Sequence, residues 1–307
     1  ITLLSIAFGT NIYCYTAFSA GGAHGYSFFH CALIILLTGK LYSTNKKYYL
    51  FYLAIVAGLI SITRPVNLLM LLIPLLWGVH NRTTLMLRVQ FFMQNLKNIG
   101  IVTLVFIITI MPQLGLWKYV TGQWYYDGYP NEGFIWTEPR IWKGLFSFQK
   151  GWLLYTPVCL FALLGIYSMR RQLKQYVPAI IIFITSFIYV TYSWWNWWYG
   201  GSYSSRPMAD ILAVLSLPLA AFITSINNKS FLKKIIFSIM CLLVALNMFQ
   251  SYQFHKNIIH PERMTAKHYW RHFFSTTTPT EEAEQYLLPS KEYYSEMNER
   301  YNKVNRQ

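Results

Sequence analysis

The chain has 307 residues, 54% of them hydrophobic and only 12% charged, with 26 Lys and Arg against 11 Asp and Glu for a net charge of +15. Soluble domains carry about 25% charged residues, so this density excludes an ordinary soluble domain and points to a polytopic membrane protein. The positive excess does not call for nucleic acid, because it collects in alternate short loops where topology and attraction to anionic lipid account for it.

Nine apolar runs are expected to span a bilayer: 1–18, 26–42, 48–63, 65–79, 99–117, 151–169, 177–193, 211–226 and 235–254. They are too long and too uniformly apolar for barrel strands, so the expected fold class is an all-α polytopic membrane protein. The expected organisation is a transmembrane body over 1–254 and a polar tail over 255–307. The first run opens on Ile1 with no signal-peptide pattern ahead of it and reads as part of a longer chain. The loop after it holds His24 within Gly21-Gly22-Ala23-His24-Gly25, either incidental or a group facing an anion. The cysteines (Cys14, Cys31, Cys159, Cys241) all fall inside apolar runs and read as buried small hydrophobes.

Loops 40–47, 80–98, 170–176 and 227–234 carry Lys40, Lys46, Lys47, Arg82, Arg88, Lys97, Arg170, Arg171, Lys174, Lys229, Lys233 and Lys234, and no acidic residue. The positive-inside rule places them in the cytoplasm, which puts loops 19–25, 118–150 and 194–210 and the tail outside. Arg64, before Pro65, is a cation on the expected outer side within apolar surroundings. Its guanidinium can clamp a phosphate through two hydrogen bonds, or snorkel to headgroups. The runs flanking it form either two spans or a re-entrant hairpin. Stretch 80–98 alternates basic and apolar residues and predicts an interfacial helix.

Loop 118–150 gathers aromatics with Asp127, Glu132, Glu138, Arg140, Lys143 and Lys150. Desolvation near a bilayer raises a carboxyl pKa and suits Asp127 or Glu132 to general-base work; the plainer alternative is a loop whose carboxylates pair with Arg140, Lys143 and Lys150. Loop 194–210 places Trp194, Trp195, Trp197 and Trp198 within five residues, then Tyr199, Gly200, Gly201, Arg206 and Asp210. Aromatic faces pack on sugar C–H faces and indole N–H groups donate to hydroxyls. The glycine pair permits close backbone approach, Arg206 can bind phosphate, and Asp210 is either a ligand contact or a cap for the helix after it. In the tail, 265–274 predicts a short surface helix bearing Tyr269, Trp270, Phe273 and Phe274, and Thr280 predicts an N-cap ahead of Glu281 and Glu282.

Several short motifs, in order, resemble a bacterial family of polytopic GT-C glycosyltransferase-like proteins, mannosyl- and aminoarabinose-transferase-like. They are Asn11-Ile12-Tyr13-Cys14-Tyr15, His24-Gly25-Tyr26-Ser27-Phe28-Phe29, Arg64-Pro65-Val66-Asn67, Gly133-Phe134-Ile135-Trp136, Leu145-Phe146-Ser147, Lys150-Gly151-Trp152-Leu153-Leu154-Tyr155-Thr156-Pro157, and Trp194 to Gly201 with Arg206 and Asp210. The resemblance covers most of 1–275. It implies a GT-C-like body in the bacterial inner membrane with a periplasmic C-terminus. The implied activity is inverting transfer of a sugar from a polyprenyl-phosphate donor to a lipid, glycan or protein acceptor. Arg64, Lys150, Arg206 and His24 would face the phosphate. Trp194, Trp195, Trp197, Trp198, Tyr199, Gly200, Gly201 and Asp210 would face the sugar. The family's catalytic Asp lies in the first outer loop, which is expected upstream of Ile1, so Glu132 and Asp127 are the best carboxylates present. The outer-loop carboxylates permit a metal without arranging a recognisable ligand set. An O-antigen polymerase or ligase also holds polyprenyl pyrophosphate with outer-face Arg residues, and a lipid flippase or transporter is the reading from another class.

Overall fold

The computed structural model describes residues 1–228 and 230–304; Lys229 and 305–307, with what was expected of them, lie outside the described residues. The described chain is all-helical, 73% helix, with no strand and one isolated bridge between Phe134 and Trp194. Five helical segments have the length and composition to cross a membrane: Ala23–Thr44, Leu96–Thr121, Lys174–Ser193, Arg206–Ser225 and Ser230–His255. These segments give the chain its multi-pass membrane-protein character.

In chain order the helices are α1 (Thr2–Gly9), α2 (Ile12–Ala17), α3 (Ala23–Thr44), α4 (Tyr48–Thr63), α5 (Leu72–Leu76), α6 (Arg82–Gln94), α7 (Leu96–Thr121) and α8 (Ile141–Phe146). They continue with α9 (Trp152–Tyr155), α10 (Val158–Gln172), α11 (Val177–Ser193), α12 (Leu212–Ser225), α13 (Ser230–His255), α14 (Ala266–Arg271) and α15 (Ser290–Val304). Three expected single spans are subdivided. Run 1–18 breaks at Thr10 and Asn11, where Thr10 is extended. Run 65–79 is a 3₁₀ segment, Pro65–Leu71, followed by the five residues of α5; Pro65 lacks the N–H that would continue α4 and starts a new segment instead. Run 151–169 divides between α9 and α10, at Thr156 and Pro157.

The chain forms two compact units. The first comprises Ile1–Gly25, Asn131–Ser168 and Ile188–Gln307. In it α1 packs against α12 and α13. α10 lies along α12: the Phe161 and Phe222 rings are 5.3 Å apart, and Ser168 Oγ donates to Ser225 Oγ at 3.3 Å. Gly165 makes the approach possible, since a Cβ there would overlap the Pro218 backbone. The tail belongs to this unit. α14 starts at Thr265, whose hydroxyl accepts from the His268 N–H, and Tyr269 is buried while Trp270 and Phe274 are exposed. Thr280 precedes a 3₁₀ segment, Glu281–Tyr286, but makes no side-chain cap.

The second unit comprises Tyr26–Pro130 and Met169–Phe187. α4 packs along α7, with Gly58 so close that a Cβ would lie 2.7 Å from Thr109. α7 has no buried residue although it is strongly apolar, the pattern of a helix whose solvent is lipid. The expected interfacial helix is α6, opened by a capping box in which Asn81 and Thr84 satisfy each other's backbone N–H. Arg88 donates to the Trp77 carbonyl and stacks 3.7 Å over the Tyr42 ring.

Candidate functional site

The polar centre of the first unit is built around Lys150. The turn from α8 into α9 is tight: the Gly151 N–H donates to the Ser147 carbonyl at 2.7 Å, and a Cβ on Gly151 would lie 2.5 Å from that oxygen. Glycine is therefore required there, and the turn drives Lys150 inward until it is 1% exposed. Its ammonium donates to the backbone carbonyls of Ser202 and Pro261, and to Ser202 Oγ at 2.9 Å. Burial pushes its pKa well below the usual lysine range; Glu262 pulls it back up and Arg206 presses it further down. Lys150 thus ties loop 194–210 to the segment that follows α13.

Loop 194–210 is held in an unusual backbone course. Tyr199, Gly200 and Ser204 all have positive φ, 58°, 61° and 55°. For Tyr199 and Ser204 such conformations cost on the order of 1–2 kcal/mol each, so surrounding contacts must impose them. The Tyr15 hydroxyl donates to the Tyr203 carbonyl at 2.7 Å, Asn11 Nδ2 to the Ser205 carbonyl at 3.0 Å, and the Tyr192 hydroxyl to Ser205 Oγ at 2.9 Å. The Tyr199 hydroxyl reaches the Thr191 carbonyl at 2.7 Å. Gly200 and Gly201 leave open backbone beside Glu262, whose Oε1 would be 3.8 Å from a Cβ at either position. Arg206, half-buried, opens the 3₁₀ segment Arg206–Ile211. Asp210 is wholly buried with Oδ1 2.7 Å from His24 Nδ1, so it binds a distant histidine instead of capping α12.

The tryptophans divide into two sets. Trp197 and Trp198 are fully buried against Tyr293, Leu288 and Met297. The Trp198 indole donates to the Tyr293 hydroxyl at 3.0 Å, and Trp197 to Glu296 at 3.4 Å. Their faces are spent on docking α15. Trp195 is buried and donates to Glu132 Oε2 at 2.7 Å. Trp194 and Tyr199 are half-buried, Trp194 standing edge-on to Phe134.

The structure therefore brings Lys150, Arg206, Gly200, Gly201 and Glu262 together, with His24 on Asp210 and Glu132 on Trp195 in the same unit. Asp127 is exposed in the second unit, where its side chain accepts from the Tyr129 N–H at 2.9 Å. Arg64 also belongs to the second unit, at the junction of α4 and the 3₁₀ segment, with its N–H donating to Ile60 at 2.8 Å. Glu138 pairs with Lys303 and Arg140, and Lys143 with Glu296. Two contributors escaped sequence reasoning. Glu262 and His260 lie in a polar stretch without periodicity, and only their position just after the last apolar run marked them. His260 Nδ1 accepts from the Glu262 and Arg263 N–H groups, each at 3.0 Å, and burial beside Arg263 holds its pKa below the usual histidine value.

No protein-family model, curated protein or solved structure matches the chain.

Proposed function

We propose that this chain is the membrane-embedded body of a GT-C-like transferase. It would take a sugar from a polyprenyl-phosphate carrier and pass it, with inversion, to a lipid, glycan or protein hydroxyl at the outer face of a bacterial inner membrane. In this reading the shorter apolar helices join the five long ones to make about nine passes. The basic loops are cytoplasmic and the tail is periplasmic.

The observation that carries the proposal is the cation pair of Lys150 and Arg206 beside Gly200 and Gly201. Lys150 is buried and fixed; Arg206 remains partly accessible. A cation held where a leaving phosphate gains charge lowers a transfer barrier without reorganisation; Arg206 takes that part, on a loop that Lys150 anchors through Ser202 and Pro261. Bare glycine backbone and the half-buried Trp194 and Tyr199 suit the sugar, while Trp197 and Trp198 brace the loop from behind. His24 and Asp210 hold the start of the chain to that loop. Glu132, oriented by Trp195, is the carboxylate best placed to take a proton from the acceptor.

The test is transfer from a panel of radiolabelled polyprenyl-phosphate sugars by the purified full-length protein in the presence of membrane extract. Loss of at least 100-fold in Arg206→Ala, with unchanged thermal midpoint, supports the reading. No transfer from any donor by the unmodified protein rejects it.

A further inference from the structure

A second polar feature of the first unit stands apart from the Lys150 cluster and from the transferase reading. His268 and His272 are four residues apart around α14, with ring centroids 4.6 Å apart and a tilt of 42°. His268 Nε2 donates to the Ile258 carbonyl at 3.0 Å. That bond fixes the proton on Nε2 and leaves a lone pair on Nδ1. The Nδ1 atom is buried, in a residue 3% exposed, and has no hydrogen-bond partner among the described residues. His272 is complementary: its Nδ1 lies 3.4 Å from Ser275 Oγ, and its Nε2 is buried without a partner.

Both rings line one cavity of about 10 Å³ together with Met264, which is 4% exposed, and a wall that includes Ile258, Ile259 and Phe273. A space of this size holds one water at most. A coordinated metal needs less, since metal–nitrogen and metal–sulfur bonds of about 2.0–2.3 Å are far shorter than van der Waals contacts.

We propose that His268 Nδ1, His272 Nε2 and the Met264 thioether form a binding site for a monovalent copper ion. A thioether is a soft ligand that selects Cu(I) over magnesium, calcium or manganese. No carboxylate lines the cavity, so a divalent ion would carry uncompensated charge into a buried site, and a monovalent one costs less. Gln253 and Tyr269 also line the cavity, but the two imidazoles and the thioether are its soft and borderline ligands. The Ile258 carbonyl on Nε2 is the outer hydrogen bond that metal-ligating histidines make, and it orients the ring. Gln253, near the end of α13, lines the same cavity. The ion would thus tie Met264 to both turns of the α14 region, beside the end of α13.

The experiment uses the full chain in detergent, stripped with chelator, with Cu(I) supplied under reductant in competition with bicinchoninate. Exposed Cys241 is replaced by Ser so that a surface thiolate cannot supply the binding. The expected result is one equivalent of Cu(I), with X-ray absorption reporting two nitrogens and one sulfur. Affinity should fall at least tenfold in Met264→Leu, a volume-conserving change that keeps the fold, and further in His268→Gln and His272→Gln. No Cu(I) withdrawn from the competitor overturns the proposal. So does binding that Met264→Leu leaves unchanged, or Zn²⁺ bound more tightly than Cu(I).

Discussion

His24 Nδ1 lies 2.7 Å from Asp210 Oδ1 across 186 residues of sequence, with Asp210 fully buried. The pair joins the first turn of α3 to the 3₁₀ segment that opens α12, and both residues belong to one compact unit. Removing one partner of a buried hydrogen bond to a charged group costs about 1.5–3 kcal/mol. His24→Ala should therefore destabilise the protein strongly. His24→Ala combined with Asp210→Asn should cost less than the sum of the two single changes, because the hydrogen bond they share can be lost only once. Thermal unfolding in detergent of the two single variants and the double variant measures this; equal, additive losses would show that the two residues act separately.

A second prediction concerns close helix approach. Gly165 in α10 faces the Pro218 backbone of α12 with no room for a Cβ. Backbone atoms cannot swing aside as a flexible side chain can, so Gly165→Ala must separate the helices and disturb the Phe161–Phe222 ring contact. Overpacking of this kind costs about 1–3 kcal/mol. Gly115, in α7, has open space where its Cβ would be, and Gly115→Ala should leave the thermal midpoint within error or raise it slightly. The two glycine variants, compared by thermal unfolding in one detergent, separate helix packing from mere composition.

Apolar composition was enough to make the membrane character and the helical class legible, because lipid allows few other backbones. Long uninterrupted runs such as Leu96–Thr121 and Ser230–His255 were readable for the same reason. The breaks were harder. Thr10 and Asn11 interrupt the first run through tertiary hydrogen bonds, Asn11 to Ser205 among them, and hydropathy does not register those. Arg206 could be singled out from its own loop, and Lys150 only through the family resemblance. Their companion Glu262 could not, since the Ser202 and Pro261 carbonyls that meet at Lys150 come from segments 59 residues apart. The tryptophan cluster was conspicuous, but its division could not be read without α15, whose polar sequence gives no hint that Tyr293 and Met297 cover Trp197 and Trp198.

The docking of α15 should depend on pH. Burial alone would push the Glu296 carboxyl up, but the Lys143 ammonium at 2.9 Å, the Trp197 N–H and Arg140 outweigh it and hold the carboxyl below its ordinary value near 4.5. A carboxyl with a depressed folded pKa contributes stability that is complete above its unfolded value and is lost as pH falls through the folded one. The contact should therefore persist above pH 4.5 and weaken below it. Tryptophan fluorescence should shift as Trp197 meets solvent. Glu296→Gln should weaken docking at neutral pH and flatten this acid transition; a transition unchanged in Glu296→Gln would place its origin in other carboxylates.

Arg300 supplies the most counter-intuitive prediction. Its side chain is wholly buried, Nε donates to the Trp195 carbonyl at 2.6 Å, and neither Nη atom has a hydrogen-bond partner among the described residues. Burial pushes its pKa below the usual arginine range and the neighbouring Arg140 adds to that effect, with Glu296, Glu138 and Glu299 acting in opposition. Those carboxylates are engaged elsewhere: Glu296 with Lys143, Glu138 and Glu299 with Lys303. A charge so placed has paid for desolvation with little Coulombic return, and well-packed apolar replacements of such groups are often neutral or stabilising by about 1–4 kcal/mol. Arg300→Met keeps most of the volume and should leave the thermal midpoint unchanged or higher, despite the loss of one hydrogen bond worth about 1 kcal/mol. Lys303→Met removes a half-buried cation with two carboxylate partners that are themselves accessible to solvent, and should change stability by about 1 kcal/mol or less. A large loss in Arg300→Met, with a small one in Lys303→Met, would mean that the Trp195 carbonyl contact dominates and that the guanidinium is a structural clasp for the loop.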